Sequence, residues 1–95
     1  MSQNTTLTGT VRVGNRQGMH LRVCAAIAQL VSQFEADVQI GRRGQRANAR
    51  SVLELAMLAA EFGTELVVSA CGRDADHVLH SLRELFETSC QPEAA

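Results

Sequence analysis

Ninety-five residues, 45% of them apolar and 20% charged, are enough for one small globular domain with an ordinary core. There is no Trp or Tyr and there are only three Phe, so that core must be aliphatic. The net charge of −1 gives no reason to expect a nucleic acid or an anionic membrane as partner, and no apolar run approaches the length of a membrane span.

Met1 to Thr6 carries neither a basic stretch nor an apolar one, so no secretory signal is expected. Leu7, Gly9, Val11 and Val13 alternate with Thr8, Thr10 and Arg12, the period of a half-buried strand. Gly14 to Gly18 has the composition of a loop. Val23, Ile27, Leu30, Val31 and Phe34 then recur at helical spacing and predict a helix that buries one stripe. Ala36, Val38 and Ile40 alternate as a second strand, and Gly41-Arg42-Arg43-Gly44 reads as a hairpin turn into a short third strand, Gln45 to Asn48. Ser51-Val52-Leu53-Glu54 has the spacing of a capping box, so a second helix is expected from Ser51 to Phe62, with Gly63 as its stop. Leu66, Val68 and Ala70 predict a fourth strand. Asp74 or Asp76 should cap a last helix buried through Val78, Leu79, Leu82, Leu85 and Phe86. One domain over 1–90 and a loose tail over 91–95 complete the chain.

The order β-α-β-β-α-β-α contains a hairpin, which rules out a purely parallel sheet. Two-layer packing follows, with the helices on one face of a mainly antiparallel sheet. Pattern alone does not separate a ferredoxin-like sheet from other solutions of this string. The second helix is polar only at Ser51, Glu54 and Glu61, so part of its surface should stay apolar and exposed, as a docking surface does. Charge is also uneven. The first fifty residues hold seven Arg against Glu35 and Asp37, whereas the rest hold Arg73 and Arg83 against eight acids. Such asymmetry fits an interaction face, or simply two solvated surfaces. The three cysteines, Cys24, Cys71 and Cys90, are widely spaced and odd in number. Free thiols of this kind fit a reducing compartment, and a cytoplasmic location is expected.

The segment Gly18-Met19-His20-Leu21-Arg22 stands where the first loop becomes the first helix. A histidine at that junction faces the unpaired amides of the first turn, which with the helix dipole favour an anion such as phosphate. Arg22 adds a forked, permanent cation suited to phosphate geometry. A cation in a first turn opposes the helix dipole unless an anion arrives, which favours a functional role over a merely solvated one. His20 therefore has a nucleophilic ring nitrogen in surroundings that stabilise a phosphoryl group on it.

These residues resemble the Gly-(aliphatic)-His-x-Arg motif of the histidine-containing phosphocarrier protein (HPr) family of the bacterial phosphotransferase system. Element order and spacing match that family from about Thr6 to Thr88. The resemblance implies an α+β open-faced β-sandwich, with a four-stranded antiparallel sheet in order 1-4-2-3 and three helices on one face. It implies that His20 accepts a phosphoryl group, originally from phosphoenolpyruvate, from an enzyme I and passes it to a downstream acceptor domain in a sugar-uptake or regulatory branch. Gly18, Leu21 and Arg22 would bind the phosphate, and Val52, Leu53 and Ala56 would form the docking face. Ser51 falls where some lineages carry a serine phosphorylated by a kinase, although as a helix N-cap it has a complete structural explanation. Three departures bear on partner choice: Val23 in place of the family's proline, neutral Gln29 and Ser32 where lysines are common, and Glu54 where a basic residue is common.

Two other readings compete. Gly18-Met19 and Cys24 partly match a ferredoxin-like metal carrier, in which His20 and Cys24 at i and i+4 would share a helix face. Leu21, however, occupies the first thiolate position, and metal sites usually need three or four ligands. A regulator that binds through the second helix without phosphorylation would keep the fold and lose the chemistry. His77 and His80 on the last helix read as surface or boundary residues. No phosphate-binding glycine loop, catalytic triad or paired-carboxylate cleft is evident, so a group carrier without a cofactor is expected rather than a free-standing catalyst.

Overall fold

A computed structural model describes residues 6–88. The elements follow the expected order: β1 (Thr6–Arg12), α1 (Leu21–Val31), β2 (Asp37–Arg42), β3 (Gln45–Asn48), α2 (Val52–Met57), β4 (Glu65–Cys71) and α3 (Ala75–Thr88). Cys90 and the tail expected over 91–95 lie outside the described residues. Among the described residues no helix is long and apolar enough to cross a membrane.

The four strands form one antiparallel sheet in the order β1-β4-β2-β3. The first and last strands are neighbours, with Thr8 opposite Ser69 and Val11 opposite Leu66. β4 also pairs with β2, which leaves β1 at the edge of the sheet; a ferredoxin-like sheet has its first strand inside, so that order is excluded. Period-two alternation decides which face is covered. Val11, Val38, Ile40, Ala47, Leu66, Val68 and Ala70 are buried, while Thr8, Thr10, Gln39 and Val67 on the other face are exposed. The three helices cover the buried face. Cys24, Ile27 and Val31 of α1, Leu55 of α2, and Val78, Leu82 and Phe86 of α3 complete the core. Each Ile, Leu or Val so buried contributes roughly 1.5–3 kcal/mol.

Four local expectations change. The hairpin is tighter than its composition suggests: β2 runs on through Arg42, and only Arg43 and Gly44 turn, at φ 44° and 83°. Positive φ at both turn positions matches the twist of an antiparallel pair. In α2, Ser51 caps as expected, its hydroxyl accepting from the Glu54 amide at 3.1 Å. The reciprocal half of the box is absent, because the Glu54 carboxylate accepts from the Asn48 amide at 2.8 Å, while the Ser51 amide donates to the Asn48 carbonyl at 2.9 Å.

α2 also ends at Met57 rather than Phe62. The amides of Leu58 and Ala59 close short bonds to the carbonyls of Leu55 and Ala56, and Ala59 then takes the left-handed φ of 51°. This early turn buries Ala60 and presents its carbonyl to the Met19 amide at 3.0 Å. Gly63, at φ 87°, does not stop the helix. It turns the chain into β4, with its amide on the Val13 carbonyl at 2.7 Å. Lastly, the Asp74 main chain starts α3, its carbonyl accepting from the Val78 amide at 2.9 Å, but its carboxylate does not cap that helix. It accepts from the Glu35 amide at 2.8 Å, while the Asp74 amide donates to the Glu35 carbonyl at 3.0 Å.

Candidate functional site

The loop from β1 to α1 is held from inside. The Asn15 carbonyl accepts from the Gly18 amide at 2.8 Å, and the Asn15 side chain accepts from the Gln17 amide at 2.8 Å. Gly18 has φ +76°. The buried Met19 is tied through its amide to Ala60, and its carbonyl accepts the Cys24 thiol proton at 3.4 Å. The backbone on either side of His20 is therefore fixed by the loop, by the turn after α2 and by the first turn of α1.

His20 is the N-cap residue of α1, with extended backbone (φ −76°, ψ 171°). Its carbonyl accepts the Cys24 amide at 3.0 Å, which starts the helix. Its half-exposed ring makes no capping hydrogen bond to the helix. Leu21, Arg22 and Val23 occupy the first three helical positions, where no preceding carbonyl is available to their amides. The first turn contains no acidic residue. The positive end of the helix thus has an uncapped imidazole at its rim and amides directed past it, the arrangement that binds an oxyanion. Arg22 is exposed at the second helical position, and its side chain has no ion-pair partner among the described residues.

Gly18, His20, Leu21 and Arg22 therefore share one junction. Ser51 caps α2, and Val52, Leu53 and Ala56 lie on that helix, which packs beside α1. Within that group Val52 and Ala56 are half-buried against the core, whereas Leu53 is 73% exposed. The sequence reading missed Met57, one turn after Leu53 and 75% exposed, and Phe62, 61% exposed. The i, i+4 spacing of Leu53 and Met57 and the apolar character of Phe62 were visible, but a helix predicted through Phe62 spread the apolar surface over the wrong frame. Leu21 is 61% exposed and neighbours His20, while Met57 and Phe62 flank the turn bonded to Met19. An apolar surface therefore lies beside the histidine.

The proposed His20–Cys24 ligand pair is not formed. Cys24 is fully buried, and its S–H is committed to the Met19 carbonyl. Burial pushes the thiol above its usual pKa, against a smaller lowering by its own backbone amide. A soft metal needs the thiolate, which this site disfavours. Among the described residues no three His, Cys, Asp or Glu side chains cluster as a metal site.

Comparison with known proteins gives a consistent picture. A family model described as the PTS HPr component phosphorylation site matches residues 7–88. The chain is 36% identical over 84 residues to the phosphocarrier protein HPr of Treponema pallidum, a match covering 88% of this chain and 96% of that protein. It is 35% identical over 75 residues to the phosphocarrier protein HPr of Xylella fastidiosa, covering 79% and 84%. Among solved structures, HPr-C-His from Thermoanaerobacter tengcongensis matches with a TM-score of 0.84 at 25% identity, over 88% of this chain and 94% of that one.

Proposed function

The chain belongs to the HPr family of the phosphotransferase system and has that family's phosphocarrier function, and on that premise we propose that His20 carries the phosphoryl group. The single observation behind this assignment is the position of His20 as the N-cap of α1, with a ring that caps nothing and first-turn amides that have no helical acceptor.

Transfer begins when the lone pair of an unprotonated ring nitrogen attacks phosphorus on the phosphorylated donor, an enzyme I charged from phosphoenolpyruvate. The N–P bond forms as the bond from phosphorus to the donor breaks, and the donor keeps that electron pair. Charge in such a transition state is spread over the three equatorial oxygens. The amides of Leu21, Arg22 and Val23 and the guanidinium of Arg22 would meet that charge, the amides being fixed already by the start of α1. The same contacts hold the phosphohistidine until a downstream acceptor attacks from the same open side. Leu53, Met57, Phe62 and Leu21 supply the apolar docking surface for both partners.

A kinase acting on Ser51 would regulate this surface. Phosphate there would disturb the hydroxyl cap on the Glu54 amide and add charge next to Val52 and Leu53. The central test is phosphorylation by phosphoenolpyruvate and the cognate enzyme I, read by intact mass. The native chain should gain one acid-labile phosphate and His20→Ala none. Acid-labile label persisting on His20→Ala would refute the assignment.

A further inference from the structure

The wall behind His20 is made by the turn after α2, and an arginine at the end of β2 holds that turn. Arg42 is the last residue of β2 and shares the helix-facing side of the sheet with Val38 and Ile40. The two-residue turn at Arg43 and Gly44 fixes the strand end from which its side chain leaves. One guanidinium nitrogen, Nη1, is shared between the carbonyls of Leu58 and Ala59, donating to both at 3.4 Å. These carbonyls lie at the end of α2, where helical acceptors run out of amides and a cation is favourable.

The held segment is strained. Ala59 sits at φ 51°, a region that costs a residue with a Cβ free energy and persists only when its surroundings enforce it. The next carbonyl, that of Ala60, accepts the Met19 amide at 3.0 Å and lies against Gly18. Met19 immediately precedes His20. The contacts therefore run without a gap: Arg42 to the carbonyls of Leu58 and Ala59, through the left-handed Ala59 to Ala60, and from Ala60 to Met19 and His20.

We propose that Arg42 is a positioning residue for phosphoryl transfer, clamping the strained Ala59 turn so that the Ala60 carbonyl fixes Met19 and hence the ring of His20. The proposal rests on the reading of His20 as the phosphoryl acceptor. Arg42 touches neither the ring nor the phosphate in this scheme. It limits how far the ring wanders from its position for in-line attack, where a displacement near 1 Å can cost about a hundredfold in rate.

The test uses full-length Arg42→Ala, Arg42→Lys and the double variant Arg42→Ala/Ala59→Gly. Steady-state phosphorylation by enzyme I and phosphoenolpyruvate, with the carrier varied, separates kcat from KM. Amide hydrogen exchange at Met19 and Ala59 is measured on the unphosphorylated chains. In Arg42→Ala, kcat should fall roughly tenfold with KM nearly unchanged, a partial version of the displacement loss above, and Met19 should exchange faster. Arg42→Lys, which keeps a cation at the carbonyls but on a shorter, more mobile stem, should recover part of the rate. The double variant should recover most of it, because glycine holds a positive φ without a clamp. A rise in KM alone, an unchanged Met19 exchange rate, or a slow double variant with native-like exchange would each overturn the proposal. His20→Ala run alongside keeps the two assignments apart: label surviving there refutes the role of His20, whereas the Met19 exchange result stands without any phosphorylation.

Discussion

Gly18 and Ala60 are packed so closely that a β-carbon added to Gly18 would lie 2.7 Å from the Ala60 carbonyl oxygen. The same glycine has φ +76°, so an L side chain there meets both a backbone clash and an unfavourable conformation. The oxygen in question is the acceptor for the Met19 amide. Any shift that relieves the clash therefore moves the residue next to His20. Gly18→Ala should lower stability by about 1–3 kcal/mol from the left-handed backbone alone, and it should slow phosphorylation at temperatures where the variant is still folded. Thermal melts and initial rates check this together. A variant with native rate and native melting temperature would show that the loop can yield without consequence.

The alkaline limb of stability should report Cys24. All nine basic residues are arginines and there is no Tyr, so few groups besides the thiols titrate above pH 9. Burial raises the Cys24 thiol above its ordinary value of 9.0. A group whose folded pKa is raised contributes its full stability below the unfolded value and loses it as pH rises through the folded one. The melting temperature should therefore begin to fall from about pH 9, as the unfolded chain binds fewer protons at this thiol than the folded one. Cys24→Ala will be less stable overall because it leaves a cavity, but its melting temperature should depend less on pH over that range. Equal slopes for the two proteins would mean that other groups govern the limb.

Much of this site was legible in the sequence, and the reasons are local. The Gly18-Met19-His20-Leu21-Arg22 junction could be placed because a loop composition gives way to a 3.6-residue period there, and both signals depend only on nearby residues. Sheet order was not readable in that way. Alternation in β1 and β4 says that each buries one face, while their adjacency follows from how the whole chain closes and came only through the family resemblance. The end of α2 was misread for a similar reason. Nothing in Met57-Leu58-Ala59-Ala60 announces a helix stop, since alanine favours helix and disfavours positive φ. The stop is imposed from elsewhere, by Met19 taking the Ala60 carbonyl and Arg42 taking those of Leu58 and Ala59. Glu54 had the correct spacing for a capping box, yet Asn48 offered its amide instead.

Arg22→Ala should separate chemistry from folding. The side chain is exposed, and its backbone lies in a regular first turn. Exposed substitutions of this kind usually change stability by less than about 0.5 kcal/mol, and removing a cation from a helix N-terminus is mildly favourable. Losing a charge-assisted contact to a phosphoryl oxygen costs roughly 1.5–3 kcal/mol, which corresponds to about ten- to a hundredfold in rate. The expected result is a much slower phosphorylation in a protein that melts at nearly the native temperature. A large loss of stability with unchanged transfer would remove Arg22 from the site.

Leu53 and Met57 should behave differently from both. They are one turn apart on α2, 73% and 75% exposed, and neither belongs to the buried core. Folding therefore gains little from them, whereas a docking partner would cover them. Apolar area removed from water is worth roughly 25 cal/mol per Å², and anchors of this size in an interface often cost more than 1 kcal/mol when truncated. Leu53→Ser and Met57→Ser should each raise KM for the carrier in the enzyme I reaction several-fold, leaving kcat and the melting temperature close to native. Val52→Ser and Ala56→Ser are informative contrasts, because those positions pack partly against the core and should lose stability along with affinity. If Leu53→Ser and Met57→Ser leave KM unchanged with enzyme I but impair transfer to the downstream acceptor, this face serves the second partner alone. If neither reaction responds, the exposed apolar surface of α2 is not where the phosphocarrier docks, and Leu21 and Phe62 become the residues to substitute next.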